Sequence, residues 1–326
     1  MALILGRGEM HVGCSAELWA EFFTAMRCGM DVLMPLESLY EVEYDGDLPL
    51  PPELATLYGR LHFPPHPVRA YVIGNFVTTL DGVVTLNVPG KSGGGPISGF
   101  NQHDHAVMGL LRAAADAVVV GAGTQRVAVR HLWTAEYIYP EFAESYRQLR
   151  KAMGKTDAPL NVIVSARGEV DFGLRVFQSG EVPVLIVTTM QGEERIRERG
   201  MPIPPRVQVS VVPGEGSSSA EAILQAVRGA QGAQGGGECG IILVEGGPRL
   251  LGDFFAERLL DELFLTLAPQ IAGRDEATER AGLVMGQLFA PEQPLWGRLL
   301  SIKRGGSHLF LRYGFEVREM KHYLLS

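Results

Sequence analysis

The chain has 326 residues, of which 46% are hydrophobic, and a formal net charge of −8. That composition supports a sizeable core and excludes wholesale disorder. With no basic patch it argues against general nucleic-acid binding. No apolar run approaches the roughly 18 residues that would span a bilayer, so no membrane segment is expected.

Residues 1–67 read as an N-terminal extension. A helical stretch near Ala16–Leu33 is followed by the proline-rich Leu48–Pro52 and by His62-Phe63-Pro64-Pro65-His66-Pro67. Proline is excluded from helix interiors and central strands, so the second segment reads as an extended linker. The core domain is expected over 68–326. It opens with a strand, Ala70–Val77, and a helix, His105–Ala115, whose apolar residues recur at helical spacing. The valine run Ala117–Val120 reads as a buried parallel strand. There follow a helix at Glu141–Met153, strands at Leu160–Val164, Val184–Val187 and Val207–Val212, and a helix at Ala220–Val227. Gly229–Gly237 reads as a flexible loop. Then come a strand at Gly240–Val244, a helix at Arg249–Leu259, a strand at Glu262–Leu267, and a hairpin pairing Leu299–Lys303 with His308–Tyr313. The alternation predicts an α/β fold: a mixed, mostly parallel sheet with helices on both faces and an antiparallel C-terminal edge hairpin.

Two predicted strands end in glycine. Val120-Gly121-Ala122-Gly123-Thr124 follows one, and Glu245-Gly246-Gly247-Pro248 follows another. Ligands of open α/β sheets sit at strand carboxyl ends. Glycine lets a backbone approach a phosphate, and a helix N-terminus offers it free N–H groups. Either loop alone is equally a tight turn; two together suit a dinucleotide. Neither follows the G-x-G-x-x-G pattern, which disfavours a plain dinucleotide-binding domain.

Cys14, Cys28 and Cys239 lie far apart and match no zinc-ligand spacing, so they read as free thiols in a reducing cytoplasm. His103-Asp104-His105 does not read as a metal site, because positions i and i+2 of a helix do not share a face.

Taken together, Asn75-Phe76-Val77-Thr78-Thr79-Leu80-Asp81-Gly82, Ile97-Ser98-Gly99, Leu111–Thr124, Glu245–Pro248 and Asp261-Glu262-Leu263 resemble the reductase domain of bacterial riboflavin biosynthesis. The resemblance spans roughly 68–313. It implies a dihydrofolate-reductase-like fold, NADPH as cofactor, reduction of a ribosylated aminopyrimidine, and a homodimer in the cytoplasm. It also implies cofactor contacts at Gly123, Thr124, Glu245, Gly246, Gly247 and Pro248, with Ser165 and Arg167 at the adenosine 2′-phosphate. Arginine suits that place through its forked donors, although a solvated turn residue is the plainer reading. Asn75, Ser98 and Arg126 are expected on the substrate side. Ser98 equally reads as a helix cap. Asp81 is expected as the acid that relays a proton, against the plainer reading of an Asp-Gly turn.

The chain departs from that pattern where the substrate's phosphate would lie. Val83 stands where lysine is usual, His105 falls near an expected arginine, and Gln125–Arg130 replaces an Asp-Asp-Pro segment. No upstream zinc deaminase motif is present in 1–67. Two further readings stay open: a reductase acting on another heterocycle, such as a dihydropterin, and a non-catalytic nucleotide-binding protein.

Overall fold

The runs AVVVG, LNVIV, VLIVT and IILV are almost wholly buried, as β-branched strands covered on both faces must be. In the computed structural model they form the middle of one sheet. The structure describes residues 33–66, 69–88, 91, 93–200, 202–214, 216–233, 240–275, 278 and 280–316. Nearly all of the expected helix Ala16–Leu33, the three cysteines and the end of the glycine-rich segment fall outside them.

Among the described residues the sheet has ten strands, ordered β1-β9-β10-β8-β2-β7-β3-β4-β5-β6. They are β1 (Glu37–Glu41), β2 (Tyr71–Thr78), β3 (Ala117–Gly121), β4 (Leu160–Val164), β5 (Val184–Thr188), β6 (Val207–Val211), β7 (Ile241–Val244), β8 (Glu262–Leu267), β9 (Gly297–Gly305) and β10 (His308–Phe315). Strands β8, β2, β7, β3, β4, β5 and β6 run parallel. β10 is antiparallel to both β8 and β9, and β1 is antiparallel to β9. The expected mixed sheet with its C-terminal hairpin is therefore present. β8 and β10 each have strands on both sides.

Ten α-helices are described: α1 (Pro52–Tyr58), α2 (Gly94–Ser98), α3 (Gln102–Ala114), α4 (Ala122–Val127), α5 (Ala135–Ile138), α6 (Ala143–Ala152), α7 (Arg175–Gln178), α8 (Met190–Glu198), α9 (Ala220–Ala233) and α10 (Pro248–Ala256). α9 continues to Ala233, so the expected loop at Gly229–Gly237 begins later than its glycines indicate. On one face of the sheet α9 and α10 bury Ile223, Val227, Leu251 and Phe254 against Val72, Val119, Val162 and Ile242. α3 and α6 cover the other. There Tyr146 donates to the Ala106 carbonyl at 2.9 Å, and Arg150 donates to the carbonyls of Ala113 and Ala115 at 3.1 and 2.7 Å. The two Arg150 bonds satisfy carbonyls that the end of α3 leaves unpaired.

The division expected at residue 67 lies elsewhere. Contacts separate the chain between Met34 and Pro35, and residues 35–66 belong to the main unit. β1 pairs with β9, and α1 buries Leu54 and Leu57, both almost inaccessible. Lys303 on β9 is buried, bonded to Glu41 at 3.1 Å, with its ammonium 4.9 Å from the Tyr58 ring centre. The segment joins through isolated apolar residues (Leu36, Leu54, Leu57, Leu61, Phe63), a pattern without the periodicity that marks a core element. Each buried leucine contributes roughly 1.5–3 kcal/mol, against about 5–15 kcal/mol for a whole domain. A chain beginning at residue 68 is therefore expected to lose its cooperative denaturant transition, and one beginning at residue 35 to keep it.

Candidate active site

The parallel strands end on one side of the sheet, and both glycine loops lie there. β3 runs directly into α4. β7 leads through Glu245-Gly246-Gly247 into α10. A Cβ on Gly246 would strike Leu250 and lie 3.1 Å from the Gly121 nitrogen, and one on Gly247 would lie 3.8 Å from Thr124 Oγ1. The two loops thus sit against each other, tightly at Gly246 and in ordinary van der Waals contact at Gly247. Gly121 and Gly247 cap α4 and α10 in extended conformation without a side-chain cap bond, and Pro248 fills the first turn of α10. The opening N–H groups of both helices therefore have no side-chain acceptor, the arrangement that receives an anion.

Glu245 does not turn its carboxylate to that crevice. Arg112 of α3 holds it with three bonds of 2.7, 3.0 and 3.1 Å, and the two side chains are 2% and 7% exposed. The third Arg112 nitrogen donates to the Thr134 carbonyl at 3.2 Å, and the Glu245 N–H donates to the Val119 carbonyl at 3.0 Å. The expected cofactor acid is thus fixed to α3, and only its backbone faces the loop.

Ser165 is buried just beyond β4 and opens a turn closed by the bond from Gly168 N–H to its carbonyl at 2.9 Å. Gly168 has φ +65°, and any side chain there would collide with the Gly192 backbone of α8. Arg167, at the tip, is exposed. Arg126 pairs with Glu169 at 3.5 Å, both side chains about half exposed. That groups Arg126 with the turn bearing Ser165 and Arg167, not with the substrate-side residues where it was expected.

Across the crevice, Asn75 of β2 is buried with a carboxamide that makes no hydrogen bond to described residues. Ser98 ends α2, 2% exposed, and donates to the Gly95 carbonyl at 3.3 Å. The helix cap is Asn101 instead, whose side chain accepts the Asp104 N–H at 3.0 Å. Asp81 is a turn residue: Gly82 follows with φ +78°, and both carboxylate oxygens accept bonds. The donors are the Thr79 hydroxyl at 2.5 Å and the Ala272 and Gly273 N–H groups at 3.1 and 2.8 Å. The Thr79 hydroxyl, then the two N–H groups, hold its carboxyl well below the usual range. An acid stabilised as the anion is a poor proton donor at neutral pH, so the structure assigns Asp81 to anchoring the loop after β8.

Val83, at the place of the lysine, is fully buried against Val77 and Ile97. His131, just after the replaced segment, packs against Trp133 and Tyr137 with ring centres 5.1 and 4.6 Å away. Burial, with Arg112 and His105 nearby, pushes its imidazole down to about 2, so it is neutral at physiological pH.

A cavity of about 900 Å³ opens at the opposite end of β2 and β8. Its charged floor is already paired, Glu262 with Arg312 and Asp261 with Arg69. The unpaired donors lie at the glycine loops, and the site is placed there. The described residues contain no cluster fit to hold a metal ion, and none of their helices is long and apolar enough to cross a membrane.

Residues 70–285 match the model of the RibD C-terminal domain. The chain belongs to that family. It is 26% identical over 212 residues to the 2,5-diamino-6-ribosylamino-4(3H)-pyrimidinone 5′-phosphate reductase of Archaeoglobus fulgidus, covering 65% of this chain and 86% of that protein. It is 27% identical over 223 residues to the riboflavin biosynthesis protein RibD of Aquifex aeolicus, covering 68% of this chain and half of that protein. Among solved structures, a pyrimidine reductase-like protein from Corynebacterium diphtheriae superposes with a TM-score of 0.58 at 22% identity, over 82% of this chain and 99% of that one. The latter likeness speaks for the fold.

Neither Arg112, inside the motif Leu111–Thr124, nor His131 has a role that is legible in the sequence. An arginine amid the apolar stripe of α3 was the available signal, since a buried guanidinium needs a partner. Arg112→Gln is expected to strand Glu245 in the interior, at a cost of about 3–5 kcal/mol in chemical denaturation, and to weaken NADPH binding measured by fluorescence titration.

Proposed function

We propose that the chain is an NADPH-dependent reductase of riboflavin biosynthesis that reduces the ribose of a phosphoribosylaminopyrimidine, the substrate class named for its Archaeoglobus relative. The observation that carries this reading is the contact of two glycine loops at adjacent strand ends, each opening a helix without a side-chain cap. Bound there, NADPH would supply the hydride, and the chain's own residues bind and orient. Gly121–Thr124 and Gly246–Gly247 receive the pyrophosphate through backbone N–H groups, and Pro248 sets the first turn of α10, whose next N–H groups point the same way. Ser165 and Arg167, with Arg126 beside them, receive the 2′-phosphate. Asn75 offers its free carboxamide to substrate, and Ser98 its hydroxyl. The homodimer and the cytoplasmic setting belong to the same reading.

Loss of nicotinamide absorbance on mixing the protein, NADPH and the ribosylaminopyrimidine phosphate tests it. No oxidation by a protein that binds NADPH would sink it. Arg167→Ala is expected to raise the KM for NADPH about tenfold, roughly 1.4 kcal/mol, and to leave that for NADH unchanged. Asp81→Asn is expected to keep kcat and its pH profile within a few-fold, because the anion anchors a loop; abolished turnover in a folded variant would restore the proton-relay role.

One observation favours a second reading, a reductase of another heterocycle. Val83 is sealed in the core, so the place at which the family pattern puts a lysine lacks a cation. A panel including dihydropterins separates the two.

A further inference from the structure

Reducing a sugar carbon takes a proton as well as a hydride. The two acids that follow the carboxyl ends of β2 and β7 supply one poorly: Asp81 is held as the anion, and Glu245 is locked on Arg112. A third carboxyl is packed against the end of β8. Asp104, in the first turn of α3, is 4% exposed. The carboxylates of Asp261 and Glu262, buried to the same degree, each face a guanidinium, Arg69 at 2.6 Å and Arg312 at 2.5 Å. Asp104 has no such partner among the described residues. The groups facing it are the hydroxyls of Thr266 on β8 and Ser98 after α2, and the imidazoles of His105 on α3 and His308 on β10.

A carboxylate this deep without a cation is costly to ionise. Burial raises the Asp104 carboxyl above the usual range, against the opposing pull of the two hydroxyls and the two imidazoles. The hydrogen bonds around it fit a neutral cluster. His308 Nε2 lies 2.9 Å from the Ser98 carbonyl, so it is the donor; Nδ1 lies 3.2 Å from Asn101 Nδ2, so it accepts. One donating and one accepting nitrogen describe an uncharged ring. Ser98 in turn donates to Gly95. That leaves its oxygen to accept a proton from Asp104.

We propose that Asp104 is a proton-holding positioning residue, whose carboxyl stays protonated in the resting protein and supplies, through the Ser98 hydroxyl, the proton that accompanies hydride transfer. The proposal rests on the reductase reading above. The hydride's electron pair forms the new C–H bond at the ribose carbon, and the bond from that carbon to the ring oxygen breaks. The departing oxygen takes the Ser98 proton, Ser98 is refilled from Asp104, and solvent reprotonates Asp104. The same cluster ties α3 to β8 and β10, so a structural role must be told apart from a chemical one.

Two measurements do so. Carbon-13 NMR on protein labelled at aspartate carboxyls is expected to show one resonance at the protonated position at neutral pH, absent from Asp104→Asn. A spectrum with every aspartate ionised overturns the proposal, and this arm needs no substrate. In single-turnover reduction, Asp104→Asn and Ser98→Ala are each expected to slow hydride transfer about 100-fold, with NADPH affinity within about twofold. The wild-type rate should fall at alkaline pH, a limb missing in Asp104→Asn. Unchanged rates and pH profiles in both variants overturn the relay. Should Asp104→Asn not fold, Ser98→Ala carries the kinetic arm. A wild-type protein that binds NADPH but reduces no ribosylaminopyrimidine overturns the functional reading and the relay together, while the NMR arm still decides where the proton sits.

Discussion

Arg112 reaches from the last turn of α3 across the end of β7 to hold Glu245 with two nitrogens, and with the third holds the Thr134 carbonyl. Three pieces of chain that are far apart in sequence are joined at that guanidinium: the helix covering the sheet, the loop that opens α10, and the segment leading into α5. A buried ion pair is weak evidence for net stability, because desolvation offsets much of the attraction. Its effect here is geometric. With Glu245 fixed, Gly246 and Gly247 are delivered against Gly121 and Thr124, and the crevice exists as a place where two chains of N–H groups converge.

The two ends of the sheet contrast in how their polar groups are satisfied. At the amino ends of the parallel strands, charges are paired or bonded. Asp116 accepts from Lys155 at 2.6 Å and from the Gly240 and Ile241 N–H groups at 2.9 and 2.8 Å. Asp261 accepts from Arg69 and from the Val72 N–H at 2.7 Å, and Tyr71 donates to Glu262 at 2.6 Å. At the carboxyl ends the polar groups are arranged differently, with helices opened by glycine, a buried Asn75 carboxamide that makes no hydrogen bond among the described residues, and an exposed Arg167. A fold that completes its own hydrogen bonds at one end and leaves donors at the other is polarised toward a ligand.

The strands and the crevice were legible because their signals are local. A valine run bounded by glycine states both a buried strand and a tight turn, and Pro248 after two glycines states a helix start. The N-terminal boundary was not legible. Residues 35–66 join the sheet through one edge strand and scattered leucines, and their register is set by β9, some 260 residues later. Asp81 shows the limit for single residues. Leu-Asp-Gly fitted both a turn and an acid, and the decision lay with the Ala272 and Gly273 N–H groups, which sequence does not place. Asp104 had a local signal, the acid three residues after the capping Asn101, but its burial against Thr266 and Ser98 depends on β8 and α2.

The departures from the family pattern and the state of Asp104 have a common physical basis. A guanidinium is permanently charged, and one beside a buried carboxyl pulls it toward the anion. Here the place near which arginine is expected holds His105, adjacent to Asp104. The lysine's place holds Val83, packed into the core. Taking a guanidinium from beside α3 removes a partner for a substrate phosphate. It also removes what would ionise Asp104. The imidazoles and hydroxyls around Asp104 can keep a proton on a carboxyl that an adjacent guanidinium would strip, so the histidine that obscures the substrate in the sequence is also what permits Asp104 to hold its proton.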